Sequence, residues 1–243
     1  MAIILFSDFG AHDLYVGQVH VVLDRYAPGV RVIDLLHDAP SLNVRASAHL
    51  LAALVRQVPR GHVFMAVVDP GVGTERKAAV MRADGRTFVG PDNGLLSVVA
   101  ARSTTRQYWQ IVSHPPDISA SFHGRDLFAP MAAAVVTDDF PNERVKAVPD
   151  LAVTLPGDDL AEIIYIDHYG NAMTGLRAEG LSVARKLRVK ETEVGPARVF
   201  GDVPIGEAFW YANSLGLVEI AVNGASAREA LGLATGHAVE WVA

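Results

Sequence analysis

From Ile3 to Val136 the hydrophobic pattern switches repeatedly between two periods. Short apolar runs (Ile3 to Phe6, Val30 to Leu36, His62 to Val68) alternate with stretches apolar at helical spacing. In Leu14 to Tyr26 the apolar positions are Tyr15, Val19, Val22, Leu23 and Tyr26; Val44 to Val58 follows the same rule and is closed by Pro59 and Gly61. Further strands are expected near 78–82, 86–89 and Gln107 to Ile111, with helices over Leu95 to Ala101 and Asp126 to Val136. Alternating strands and helices force a largely parallel sheet covered on both faces.

Residues 138–159 break that rhythm with Asp138-Asp139, Pro141, Pro149, Pro156 and Gly157-Asp-Asp159. Beyond them the period becomes mostly two. Strands are expected over Glu162 to Asp167, Lys186 to Glu191, Phe209 to Ala212 and Leu217 to Val222, with a short helix near Ala227 to Leu233 and a closing segment His237 to Val242. The fold class read from this is α/β: a larger N-terminal domain (1–140) with a mainly parallel sheet, a linker (141–159), and a smaller β-barrel-like domain (160–243).

Composition excludes several chemistries. The 243 residues contain no cysteine, which rules out disulfides, thiolate nucleophiles and Cys-ligated metal. The net charge is −6 and there is no Lys/Arg run, which argues against nucleic acid or an anionic membrane as partner. No apolar stretch approaches the roughly 20 residues a span needs. The apolar start, Met1 to Phe6, is too short and lacks the basic flank of a signal peptide. A cytoplasmic protein is expected.

Three polar, glycine-rich segments follow apolar runs: Asp69-Pro-Gly-Val-Gly-Thr-Glu-Arg76, Gly90-Pro-Asp-Asn-Gly94 and Phe122-His-Gly-Arg-Asp126. Strand ends are where open α/β sheets hold ligands, so Asp69, Arg76 and His123 could share one pocket. Taken alone, Asp69 and Arg76 could equally be a turn carboxylate and a surface ion pair worth about 0–1 kcal/mol. His123 could be a satisfied histidine at a helix start. Asp8 could be a turn residue, Phe122 a core aromatic, and Asp167 and Asn171 members of a hairpin loop. Arg125 and Asp126 read as structural, with Asp126 at a helix N-terminus.

Six segments together resemble one family. They are Ser7-Asp-Phe-Gly10 with Asp13-Leu-Tyr-Val-Gly17, Val67 to Arg76, Val89 to Gly94, Phe122 to Pro130, Asp167-His-Tyr-Gly-Asn171 and Asn213 to Ala221. In this order they are similar to the S-adenosylmethionine hydroxide adenosyltransferases, relatives of the halogenating enzymes. The resemblance implies hydrolysis of S-adenosyl-L-methionine to adenosine and methionine without a cofactor or metal. It also implies a homotrimer with active sites between subunits. Asp69, Arg76 and His123 would be catalytic, and Asp8 would chelate the ribose. Phe122 would wall the ribose or thioether, Asp167 would meet the methionine ammonium, and Asn171 the adenine. Ser214 and Val222 would add methionine and adenine contacts.

Three other functions compete. A metal-dependent phosphoesterase could use Asp8, Asp13, Asp34, His37, Asp69, Asn93 and His123 as hard ligands. A halogenase would place a halide beside position 69, where a carboxylate repels it. A non-catalytic adenosine or S-adenosylmethionine sensor would bind without turnover.

Overall fold

The computed structural model describes residues 1–113, 116–137, 140–181 and 185–242. Asp138 and Asp139, part of the expected chain break, lie outside the described residues. The chain divides into two compact units, Met1–Gly157 and Asp158–Ala243.

The first unit is a seven-stranded sheet with helices. Its strands are β1 (Ala2–Ser7), β2 (Arg31–Leu36), β3 (Val63–Val67), β4 (Ala78–Ala83), β5 (Arg86–Pro91), β6 (Arg106–Ile111) and β7 (Val145–Val148), in the order β2-β1-β3-β5-β4-β6-β7. Between them run α1 (Leu14–Tyr26), α2 (Val44–Val55), α3 (Ser97–Arg102) and α4 (Ala129–Val136). β1 and β3 are buried along their whole length, as strands covered on both faces must be. Ile3, Leu5, Val63, Met65 and Val67 pack with Val19 and Leu23 of α1 and the apolar residues of α4. The alternate positions point to the other face, where Phe64 stacks on Phe88 at 5.0 Å between centroids.

Local chemistry sets the element ends. The Asp13 side chain accepts from Leu14 N at the start of α1, and Asn43 accepts from Ala46 N at the start of α2. α2 stops at Val55 rather than Val58 and runs out in tight turns (Gln57 N to Leu54 O, Val58 N to Val55 O), because Val58, directly before Pro59, is disfavoured in the helical region. The sheet is mixed rather than mainly parallel. β2–β1, β1–β3 and β3–β5 are parallel, while β5–β4, β4–β6 and β6–β7 are antiparallel. The Asp84-Gly85 turn, both residues at positive φ, folds β4 back on β5 and produces the reversal. The stretch expected as a linker carries β7, whose Val145–Val148 pairs with β6.

The second unit is a sheet in the order β14-β10-β11-β12-β13-β9-β8. Its strands are β8 (Leu160–Ile166), β9 (Ala172–Arg177), β10 (Leu187–Val189), β11 (Thr192–Pro196), β12 (Ala208–Ala212), β13 (Leu217–Val222) and β14 (Val239–Trp241), with α5 (Ala227–Ala230) before the last. Glu162 bridges Ala238, and Ile163 exchanges backbone bonds with His237 and Gly236, so the two edges meet and the sheet nearly closes. Ile163, Leu187, Trp210, Val218, Ile220 and Val239 fill the interior, as in a small barrel. β9 and β11 were not foreseen in the sequence.

Candidate active site

The strand order of the first unit fixes where a ligand can sit. α1 leads from β1 to β2 on one side, and the chain then crosses back over β1 to β3. The topological switch point therefore lies between the carboxyl ends of β1 and β3, which pair as Ser7↔Val67. Asp8 directly follows one strand, and Asp69 follows the other by two residues.

Asp69 opens a tight loop. Val72 N bonds Asp69 O, and Thr74 Oγ1 bonds both Gly71 O and the backbone of Arg76. Gly73 has φ 78°, and a Cβ there would lie 2.3 Å from Ala120 O. Only glycine lets this loop come so close to the segment leading to His123. His123 in turn precedes one π-helical turn, Gly124–Phe128, that runs into α4. The expected helix thus begins two residues early and with a wider turn, a feature common at functional sites.

These turns bring the three expected residues together. Arg76 Nε donates to Asp69 Oδ1 at 3.0 Å, and its Nη2 donates to Asp69 Oδ2. The same Nη2 lies 3.1 Å from His123 Nδ1. Nη1 donates to Lys77 O, and the guanidinium stands 5.5 Å over the Phe128 ring. The Asp69 and Arg76 side chains are only 5% and 8% exposed, so this is a buried pair and not the surface bridge left open by sequence. Guanidinium has no acceptor, so His123 Nδ1 must accept and the proton of the neutral ring sits on Nε2.

Asp8 belongs to the same neighbourhood. Burial pushes its carboxyl above its ordinary value of 3.8, and the charge of Asp69 pushes it the same way. Its own backbone N–H and that of Leu42 oppose the shift. Leu42 holds φ 62°, a left-handed conformation costly for a leucine. Phe122 is 9% exposed and packs edge-on against Phe9 and Tyr15 in the core. Arg125 and Asp126 pair with each other at 2.6 Å, and Asp126 also accepts from Ser119 N, which is the structural role expected.

The hard ligands of the phosphoesterase alternative are otherwise engaged. Asp13 caps α1, Asn93 Nδ2 donates to Val68 O, and Arg76 stands between Asp69 and His123. Among the described residues no three His, Cys, Asp or Glu side chains form a metal-binding group. Asp34 and His37 instead form a cluster the sequence reading did not foresee. Ser7 Oγ lies 2.8 Å from His37 Nδ1, and Asp34 Oδ1 lies 3.0 Å from His37 Nε2 and 2.8 Å from His20 Nε2. Burial raises the Asp34 carboxyl, but the hydrogen bonds from His37 and His20 outweigh it and hold the group below its ordinary value.

The second unit holds the remaining candidates. Asp167 and Asn171 close the β8–β9 turn. Asn171 N donates to Asp167 Oδ1 at 2.8 Å and Asn171 Nδ2 to Oδ2 at 3.0 Å. Both residues, with Val222 at the end of β13, line a cavity of about 620 Å³. Tyr211 and Phe200 line it too, though sequence reasoning singled out neither. Ser214 is exposed in the β12–β13 turn, outside that lining.

The chain is similar to known proteins over nearly its whole length. Residues 3–145 match the SAM hydroxide adenosyltransferase N-terminal domain, and residues 161–240 match the SAM hydroxide adenosyltransferase C-terminal domain. The chain belongs to the SAM hydroxide adenosyltransferase family. Among its relatives, an (R)-S-adenosyl-L-methionine hydrolase of Thermus thermophilus is 40% identical over 250 residues, 96% of each chain. One of Salinispora tropica is 39% identical over 244 residues, covering 95% of this chain and 93% of that one. The crystal structure of an uncharacterized conserved protein from Thermotoga maritima superposes with a TM-score of 0.88 at 33% identity, over 99% of this chain and all of that one. No helix among the described residues is long and apolar enough to cross a membrane.

The raised Asp8 carboxyl gives a testable sign. Its folded pKa lies above the unfolded value, so ionising it costs the fold as pH rises through 3.8, and the cost is fully present at neutral pH. Asp8→Asn should raise the neutral-pH Tm. The gain should vanish below about pH 3.8, where Asp8 is protonated in both states. Melting curves at both pH values check this; a Tm that falls at neutral pH contradicts it.

Proposed function

We infer that the chain hydrolyses S-adenosyl-L-methionine to adenosine and L-methionine, by attack of water on the ribose 5′-carbon. The observation that carries this reading is the buried Asp69–Arg76–His123 cluster at the strand ends of a chain whose near-full-length relatives bear the name of that hydrolase.

The chemistry sets modest demands. The sulfonium is already cationic and leaves as a neutral thioether, so neither a general acid nor a Lewis acid is required at the leaving group. The site must hold one water in line with the C–S bond and take its proton as the C–O bond forms. Positioning of this kind contributes about 7–11 kcal/mol in favourable cases. Arg76 holds the cluster rigid and stabilises hydroxide character on the water. Asp69 keeps lone pairs beyond its two bonds to Arg76 and is the proton acceptor. His123, whose Nδ1 is taken by Arg76, acts through its Nε2–H as a donor to the attacking oxygen. Asp8 chelates the ribose hydroxyls, and Phe122 stiffens the apolar wall. Asp167 and Ser214 take the methionine end, with Asn171 and Val222 on the adenine.

A carboxylate at position 69 also separates this reaction from halogenation. A halide brings a full negative charge and no proton. Two unit charges about 4 Å apart repel by on the order of 4 kcal/mol at an effective dielectric near 20. The enzyme needs no cofactor in this scheme. We assign it to the cytoplasm, which fractionation of the host cell reads out directly.

Assembly as a homotrimer with active sites completed at subunit interfaces follows from the family resemblance. Exposed Leu14, Val21 and Tyr26 on α1 suit a buried contact. Light scattering should give three times the 26.0 kDa chain mass; a fully active monomer contradicts this part of the proposal.

Asp69→Asn keeps an acceptor for Arg76 but removes the base. Its kcat should fall by about 10²- to 10⁴-fold, with much less change in substrate affinity. Single-turnover kinetics with a separate binding isotherm read the two effects. Wild-type turnover, or a defect confined to binding, contradicts the role given to Asp69.

A further inference from the structure

Glu219 interrupts the apolar strand β13 and is 2% exposed. It does not face the barrel interior, which is filled by its neighbours Val218 and Ile220. It pairs across the ladder with Tyr211 of β12. The Tyr211 hydroxyl donates to Glu219 Oε1 at 2.5 Å, and Asn213 Nδ2 donates to Oε2 at 2.6 Å. Both carboxylate oxygens are therefore committed as acceptors.

The consequence falls on the cavity that Tyr211 lines. Burial, and then the bond to Glu219, push the Tyr211 phenol well above its ordinary value, so it keeps its proton. That proton is directed at Glu219, which leaves Oη only lone pairs to offer a ligand. Asn171 is oriented by a carboxylate as well. One N–H of its Nδ2 goes to Asp167, so Oδ1 is left as an acceptor and the second N–H as a donor. Of the lining groups left to the base, Tyr211 Oη is the one that accepts and cannot donate.

We propose that Glu219 is a positioning residue for nucleobase selection. By accepting the Tyr211 hydroxyl it fixes that oxygen as an acceptor, so the cavity takes a base with an exocyclic amine in preference to one with a carbonyl in its place. This rests on the reading of the cavity as the adenine site.

Calorimetric titration of the full chain with adenosine and with inosine tests the proposal. The wild type should bind adenosine at least about tenfold more tightly, the worth of one oriented hydrogen bond. Tyr211→Phe removes only the hydroxyl and should bring the ratio close to one. Glu219→Gln should do the same: Asn213 Oδ1 is held by Leu215 N and Leu217 N, so Asn213 Nδ2 still faces position 219, the new amide oxygen must accept from it, and the new NH2 donates to Tyr211 Oη and turns the hydroxyl proton elsewhere. A merely structural role would weaken both nucleosides together and leave the ratio unchanged. Equal affinities in the wild type, or an unchanged ratio in either folded variant, overturns the proposal. If Glu219→Gln fails to fold, Tyr211→Phe decides alone. Failure of the wild type to hydrolyse S-adenosylmethionine would overturn the reaction assigned above and leave this ratio to be judged separately.

Discussion

Arg76 is a cation taken out of water, and the site is arranged around compensating it. Desolvating such a charge costs several kcal/mol even after relaxation, so a buried arginine must be fully bonded. Asp69 supplies a two-point contact matched to the guanidinium fork, His123 a third and Lys77 O a fourth. A lysine could not satisfy all of these, since its ammonium lacks the planar fork. Removing either member of the buried pair leaves the other charge uncompensated, typically at 3–5 kcal/mol. An apolar replacement of the whole cluster would serve stability as well. The cluster's place beside the carboxyl ends of β1 and β3 fits the proposed reaction, in which the attacking water must lose a proton.

The rest of the first unit can be understood as support for that contact. Parallel strands β1 and β3 end side by side and deliver Asp8 and Asp69 to one crevice. Gly73 admits the loop to within reach of Ala120, and the π turn after His123 sets the angle at which its ring meets Arg76. Asp8 bears an electrostatic cost there, crowded by burial and by Asp69. Two carboxylates held so close in the free protein fit the cationic substrate proposed for this site.

Much of this was legible in the sequence. Helix α1 has the limits its periodicity gives, and most strands lie within one or two residues of their apolar runs. Asp69, Arg76 and His123 were nameable because each sits on a glycine-marked turn after an apolar segment. Other features were hidden for physical reasons. The mixed sheet depends on a hairpin at Asp84-Gly85, a strong turn signal between two expected strands that the strand–helix alternation of the rest overrode in the reading. β7 is four residues long and set among prolines, so its pairing with β6 is a tertiary effect. β9 and β11 contain glycine and little alternation. Glu219 did leave a trace, a lone charge in the run Leu217 to Val222, but its partners Tyr211 and Asn213 come only with the strand register. Of the His20–Asp34–His37–Ser7 cluster only Asp34 and His37 were named, as candidate hard ligands, because the members lie on β1, α1, β2 and the residue just after β2 and meet only in the fold.

The account's central claim is that Asp69, Arg76 and His123 direct a water oxygen onto the ribose 5′-carbon. Incubating the protein with S-adenosylmethionine in oxygen-18 water tests it most directly, with the products resolved by mass spectrometry. The account predicts one labelled oxygen in the 5′-hydroxyl of adenosine and none in methionine. Unlabelled adenosine, or label in the methionine fragment, would mean that a different bond is broken and that the cluster serves another purpose.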